Sequence, residues 1–86
     1  MSAAEVAQEA LRLTEPELRA WVVLAGHRLG DELESVARVV PVHWVLAGLA
    51  ELSFADALPA YEALARSPLP HVAHPALARI LEEPSH

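Results

Sequence analysis

Two histidines near the carboxyl end, His71 and His74, have the residue type and spacing that come closest to a metal site. In a helix, a spacing of three residues would place both imidazoles on one face. The stretch 67–75 contains three prolines, however, and an extended chain rises about 9 Å over three residues. That is too far for one ion, and no carboxylate lies near the pair. We therefore expect no metal site, and predict that the histidines confer a pH response instead.

The side chains that could catalyse a reaction form no recognisable motif. Ser2, Ser35 and Ser53 occupy helix or helix-start positions, and the remaining two serines lie in proline-rich segments. No Gly-x-Ser-x-Gly turn, phosphate-binding loop or His-Glu-x-x-His helix occurs. The absence of cysteine excludes a thiolate nucleophile, a disulfide framework and a thiolate zinc site. We expect no enzymatic activity, no cofactor and no small-molecule substrate.

The segment 31–51 has the outline of a helix-turn-helix motif. Its first helix would end before Pro41, with Ala37 at the close helix contact, and its recognition helix would span 43–51. Base edges are read by hydrogen-bonding side chains and phosphates by cations, and this helix offers one histidine and neither Arg nor Lys. A transcriptional regulator with a degenerate helix-turn-helix is therefore the alternative function, and we expect no nucleic acid as partner.

Composition limits the class of protein. The chain has 86 residues, 53% of them apolar, and 12 acidic residues against six arginines give a net charge of −6. This length fits one domain, and the apolar content excludes disorder. The acidic balance argues against a nucleic-acid or anionic-membrane surface. No apolar run reaches the roughly 20 residues of a membrane span, and the acidic segment 2–5 is unlike a signal peptide. We expect a cytoplasmic protein without membrane contact.

Helix-start signals recur along the chain. In each, a capping residue lies three positions before an acid, as in Ser2 with Glu5, Thr14 with Glu17, Asp31 with Glu34, and Ser53 with Asp56. Gly30, in a left-handed backbone conformation, is expected to end the second helix, and Pro41 to begin the fourth. We predict helices over 3–13, 15–29, 32–40, 42–52, 54–66 and 75–83. The prolines between 67 and 75 predict an extended strap before the last helix. The expected fold is all-α, a compact bundle of five or six short helices forming one domain over 1–83, with a frayed tail at 84–86.

Finer patterns refine these helices. The third helix has one apolar stripe, formed by Leu33, Val36, Ala37 and Val40. Pro59 predicts that the fifth helix is kinked or begins there. Gly26 and Gly48 are expected inside helices, where a glycine lets another backbone approach closely. Four acid–arginine pairs at helical spacing predict solvated faces: Glu9–Arg12, Glu15–Arg19, Glu34–Arg38 and Glu62–Arg66.

The second and fourth helices carry more apolar residues than one stripe requires. Ala20–Gly26 is apolar throughout, and so is Val42–Ala50 apart from His43. A helix that is apolar all round must be surrounded, and so small a domain encloses two such helices with difficulty. The surplus is therefore expected to face a second copy or another protein. The alternative is that Trp21 and Trp44 fill the core of a monomer.

The function that follows is a non-enzymatic protein–protein interaction module, of the adaptor or assembly kind, with an apolar face around the fourth helix. A two-fold homodimer with that helix at the seam is the simplest closed arrangement. The predicted partner-binding residues are Trp44, Val45, Leu49 and Leu52, together with Trp21 and Val22 of the second helix. A subunit that is unstable without its partner is a further interpretation.

Overall fold

The computed structural model describes residues 2–82, and within them the chain is all-α, with no strand. The helices are α1 (Ala3–Ala10), α2 (Glu15–Leu24), α3 (Asp31–Val39), α4 (Val42–Leu49), α5 (Phe54–Ala65) and α6 (Pro70–Glu82), and a 3₁₀ turn spans Gly26–Arg28. The predicted all-α bundle of short helices is confirmed. The tail predicted at 84–86 lies outside the described residues.

Side-chain caps begin α1, α2 and α5, as the sequence predicts. Ser2 Oγ accepts a hydrogen bond from the N–H of Glu5 at 3.3 Å. In α5, Ser53 Oγ accepts one from the N–H of Asp56 at 3.2 Å. Thr14 and Glu17 form a complete capping box, in which each side chain accepts from the other residue's backbone N–H. The cap predicted at Asp31 is wrong, because Asp31 is already helical. Gly30, at a positive φ of 60°, precedes it.

Three helices, α1, α2 and α4, end three or more residues earlier than predicted, because their last turns tighten. After α1, the N–H groups of Arg12 and Leu13 bond to carbonyls three residues back, and those of Glu51 and Leu52 do so after α4. Such bonds close a helix end without extending the α-helix. Beyond α2, the same tightening produces the 3₁₀ turn at Gly26–Arg28.

The predicted extended strap over 67–75 is wrong. Only residues 66–69 separate α5 from α6, which begins at Pro70 and continues through Pro75. A proline at the first helical position loses no hydrogen bond. Pro75 does lose one, but Val72 and Ala76 on either side of it are wholly buried in the core, and burial of this face outweighs the loss. The predicted start of α5 at residue 54 is confirmed, which excludes the alternative of a start at Pro59.

The helices pack in an interleaved order. α1 lies against α3, α2 against α4, and α5 against both α6 and α3. The predicted stripe on α3 is confirmed, since Leu33, Val36, Ala37 and Val40 are all buried. Residues of α1, of the end of α2 and of the start of α3 together line one groove, where the candidate site lies.

Candidate functional site: an apolar groove

The six predicted partner-binding residues do not share one surface. Val22, Val45 and Leu49 are wholly buried in the core, while Trp21, Trp44 and Leu52 are half-buried and pack against it. As folded, Val22, Val45 and Leu49 support the surface from beneath and cannot contact a partner. Trp44 and Leu52 remain available around α4, where self-association stays a prediction.

Close packing of α2 on α4 accounts for much of the apolar surplus within one chain. A Cβ built on Gly48 would lie 2.8 Å from both Cβ and Cγ1 of Val22, and 3.1 Å from the carbonyl oxygen of Arg19. The predicted close approach is therefore found at Gly48. Arg19 adds an ion pair to Glu51, with Nε 3.3 Å from Oε2, which joins α2 to the turn after α4.

An apolar groove of about 600 Å³ opens between α1, the end of α2 and the start of α3. Six apolar side chains and two carboxylates line it: Val6, Ala10, Leu13, Trp21, Ala25, Leu29, Glu9 and Glu32. A few hundred cubic ångströms with mostly apolar walls is typical of binding pockets. Of the predicted site residues, only Trp21 lies in this groove.

Gly26 determines the position of the Trp21 side chain. A Cβ at residue 26 would lie 2.9, 3.1 and 3.2 Å from Cζ3, Cε3 and Cη2 of the indole, so the six-membered ring occupies the space that a side chain would need. The interpretation of Gly26 as a residue inside an α-helix is wrong, because it begins the 3₁₀ turn. The space that a side chain at Gly26 would occupy is filled by the aromatic ring and not by another segment of backbone.

Two exposed leucines adjoin the groove in the chain. Leu24 is 71% exposed and lies three residues after Trp21, one turn along α2. Leu11 is 58% exposed and directly follows Ala10 at the end of α1. Neither was predicted as a site residue: Leu24 lies within the apolar run 20–26, whose two sides the sequence does not distinguish, and Leu11 lies in no such run. Among residues 2–82, the other large exposed apolar side chains are Val39, Leu77 and Leu81.

Glu34 forms the most enclosed polar contact of the described residues. Its Oε2 accepts hydrogen bonds from Arg38 Nε at 2.6 Å and from Ser67 Oγ at 2.9 Å, and Ser67 is buried. Burial raises the pKa of the Glu34 carboxyl, but these two hydrogen bonds and the Arg38 charge lower the pKa by more. The contact joins α3 to the α5–α6 connection and has a structural role.

Apart from Glu34–Arg38, the ion pairs of the described residues lie on exposed faces. The pairs predicted at helical spacing form between Glu9 and Arg12, Glu15 and Arg19, and Glu34 and Arg38. The fourth, Glu62 with Arg66, is absent from the ion pairs of residues 2–82. Exposed pairs of this kind contribute at most about 1 kcal/mol each, so they fix the faces of the helices only weakly.

His71 and His74 both lie on α6 and are exposed, so the extended geometry predicted for them is wrong. Across residues 2–82, no three His, Cys, Asp or Glu side chains are grouped to hold a metal ion. No helix in this part of the chain has the length and apolar content to cross a membrane.

The α3–α4 pair has the order of a helix-turn-helix, two helices joined at Val40 and Pro41. The residues of α4 include His43 and no cation. Comparison of the chain with protein-family models, with curated proteins and with solved structures found no match. Inference about function therefore rests on the surface of the domain.

Proposed function

We propose that this chain is a non-enzymatic protein–protein interaction module, of the adaptor or assembly kind, whose binding surface is the groove between α1, α2 and α3. The observation that supports this proposal is the apolar lining of the groove, in which Trp21 forms part of the wall. Leu11 and Leu24, each next in the chain to a lining residue, are also exposed. Contiguous apolar surface is uncommon on soluble monomers unless it binds something.

Selection of helical peptides against the wild-type domain tests the groove. Ala25 lines the groove and is exposed, so Ala25→Tyr should occlude the groove without disturbing the core. Ala78→Tyr, at an exposed position on α6, is the matched control. Selected peptides should lose at least tenfold in affinity for the first variant and keep their affinity for the second, because a filled groove excludes their anchor side chains. Peptides insensitive to Ala25→Tyr would contradict the groove as the binding surface.

Self-association through α4 is a separate part of the proposal. Trp44 and Leu52 are the predicted residues that remain at that surface. Light scattering after size-exclusion chromatography should give twice the monomer mass of 9.3 kDa. Trp44→Arg should give a folded monomer with unchanged helical circular dichroism. A wild-type monomer at every concentration, or unfolding of the variant, would refute the α4 seam and leave the groove proposal intact.

The same proposal assigns the module to the cytoplasm. A secreted domain of this size would ordinarily depend on disulfides, and this chain has no cysteine.

A further inference from the structure

The charges around the groove indicate which class of partner it takes. Resting on the function proposed above, we propose that the groove binds an amphipathic helix of another protein, one whose apolar stripe is flanked by arginines or lysines.

The charged residues lining the groove are both acidic. Glu9 comes from α1 and Glu32 from α3, so carboxylates are supplied by two different helices around an apolar floor. Two arginines lie near them in the chain, and both have partners. Arg12 Nη1 is 3.6 Å from Glu9 Oε1, and Arg28 Nη2 donates to the carbonyl of Leu24 at 2.8 Å. The Glu9–Arg12 pair is exposed and weak, so a partner's cation can replace it.

The groove is formed by helices, which favours a helix over an extended segment as the partner. Residues 2–82 contain no strand, so no sheet edge is available to pair with an extended backbone. A groove between helices instead receives side chains projecting at i, i+3 and i+4 from one face of a partner helix. Contact with Gly26 holds the Trp21 ring in place before binding, which lowers the ordering cost of association.

A second copy of this chain fits the groove poorly. Each copy carries twice as many acids as arginines, 12 against six, and has no lysine. Docking one copy into the groove of another would bring acidic surface toward Glu9 and Glu32. Like charges brought together at an interface cost affinity, so the favoured occupant is a different chain of opposite charge.

Three synthetic peptides of roughly 18 residues, about five helical turns, test this inference. They share one leucine stripe and differ only in flanking residues: arginine, glutamine or glutamate. By fluorescence anisotropy at low salt, the arginine peptide should bind about tenfold more tightly than the glutamine peptide, and the glutamate peptide most weakly. The difference should shrink as salt screens the carboxylates. The bound peptide should gain helical circular dichroism.

Two substitutions locate the effect. Glu32→Gln should reduce the preference for arginine over glutamine flanks several-fold, because it removes a carboxylate of the groove. Glu62→Gln, which removes the same charge from an exposed position on α5, is the control and should leave the preference unchanged. Gly26→Ala should weaken all three peptides several-fold, since its Cβ displaces the Trp21 ring. In a Trp44→Phe background, altered Trp21 fluorescence with unchanged helicity would report that displacement.

The outcomes separate this inference from the proposed function. Equal binding of all three peptides, abolished by Ala25→Tyr, would overturn the basic partner and preserve the groove as an interaction surface. Arginine-dependent binding that Ala25→Tyr leaves unchanged would place the site elsewhere and overturn the inference. A wild-type dimer converted to a monomer by Ala25→Tyr would make a second copy the occupant. If none of the three peptides binds, but selection recovers peptides whose binding is lost in Ala25→Tyr, the inference is overturned and the proposed function stands.

Discussion

Glu34 shows how much a single residue can depend on a partner far away in the chain. Its pair with Arg38 follows from the i, i+4 spacing and is predictable. Its second donor, Ser67, is 33 residues away, and no local pattern connects them. The sequence thus predicts the pair of Glu34 with Arg38, whereas the hydrogen bond from Ser67 depends on how α3 packs against the α5–α6 connection.

Ser67→Ala should raise the pKa of Glu34 and destabilise the domain. The lowered pKa of Glu34 means that its stabilisation is present above the ordinary carboxyl range and is lost as pH falls through the lowered value. Loss of a hydrogen bond to a charged group should cost about 1.5–3 kcal/mol in free energy of unfolding at neutral pH, and less in acid.

NMR titration of the Glu34 carboxyl and urea unfolding at neutral and acid pH measure both effects. Ser35→Ala is the control on the same helix, because Ser35 Oγ donates to the carbonyl of Asp31 and not to Glu34. An unchanged Glu34 pKa in the Ser67 variant would contradict the structural role assigned to Ser67.

At the scale of the elements, the starts of α1, α2 and α5 were predictable, whereas the ends of α1, α2 and α4 and the start of α6 were not. Caps such as Thr14 with Glu17 act through neighbouring residues, so their signal is local. The end of α2 depends on the fit of Trp21 against Gly26, and the start of α6 at Pro70 depends on burial of Val72. Both are tertiary effects that override local proline and glycine preferences.

Gly48→Ala should loosen the packing of α2 on α4. Alanine gains about 1 kcal/mol of helix propensity over glycine. Its Cβ, however, would meet Val22 and the Arg19 backbone at 2.8–3.1 Å, and overpacking of this kind typically costs 1–3 kcal/mol. We expect a net loss of up to about 2 kcal/mol in free energy of unfolding, measured in urea.

Ala20→Gly, at an exposed position in α2, measures the propensity contribution alone. A Gly48→Ala domain more stable than wild type would show that the two helices can separate at little cost.

Pro75→Ala should stabilise α6. Proline at this interior position cannot donate to the carbonyl of His71, and alanine restores the donor. The gain is partly offset because proline restricts the unfolded chain, so we expect about 1–2 kcal/mol in free energy of unfolding. Pro70→Ala is the matched control, since the first helical position needs no donor, and it should be neutral or slightly destabilising. Equal effects of both substitutions would contradict this explanation.

At the scale of the whole molecule, the fold class was predictable and the location of the apolar surplus was not. The periodic apolar residues and the capping signals were sufficient for an all-α bundle. Burial of Val45 and Leu49 within one chain follows from the approach that Gly48 permits. The groove combines residues from α1, α2 and α3, so no single stretch of sequence could have indicated it.

The interleaved packing also has a consequence for the order of folding. α5 and α6 are consecutive and pack on each other, whereas α1 on α3 and α2 on α4 each require a loop that spans an intervening helix. Closing longer loops costs more entropy, and local contacts form faster. In pulse-labelling hydrogen exchange, amides of α5 and α6 should be protected before those of α1 and α2, and the reverse order would contradict this. We expect a groove built from α1, α2 and α3 to be completed last during refolding, so that a partly folded chain has no binding surface to offer.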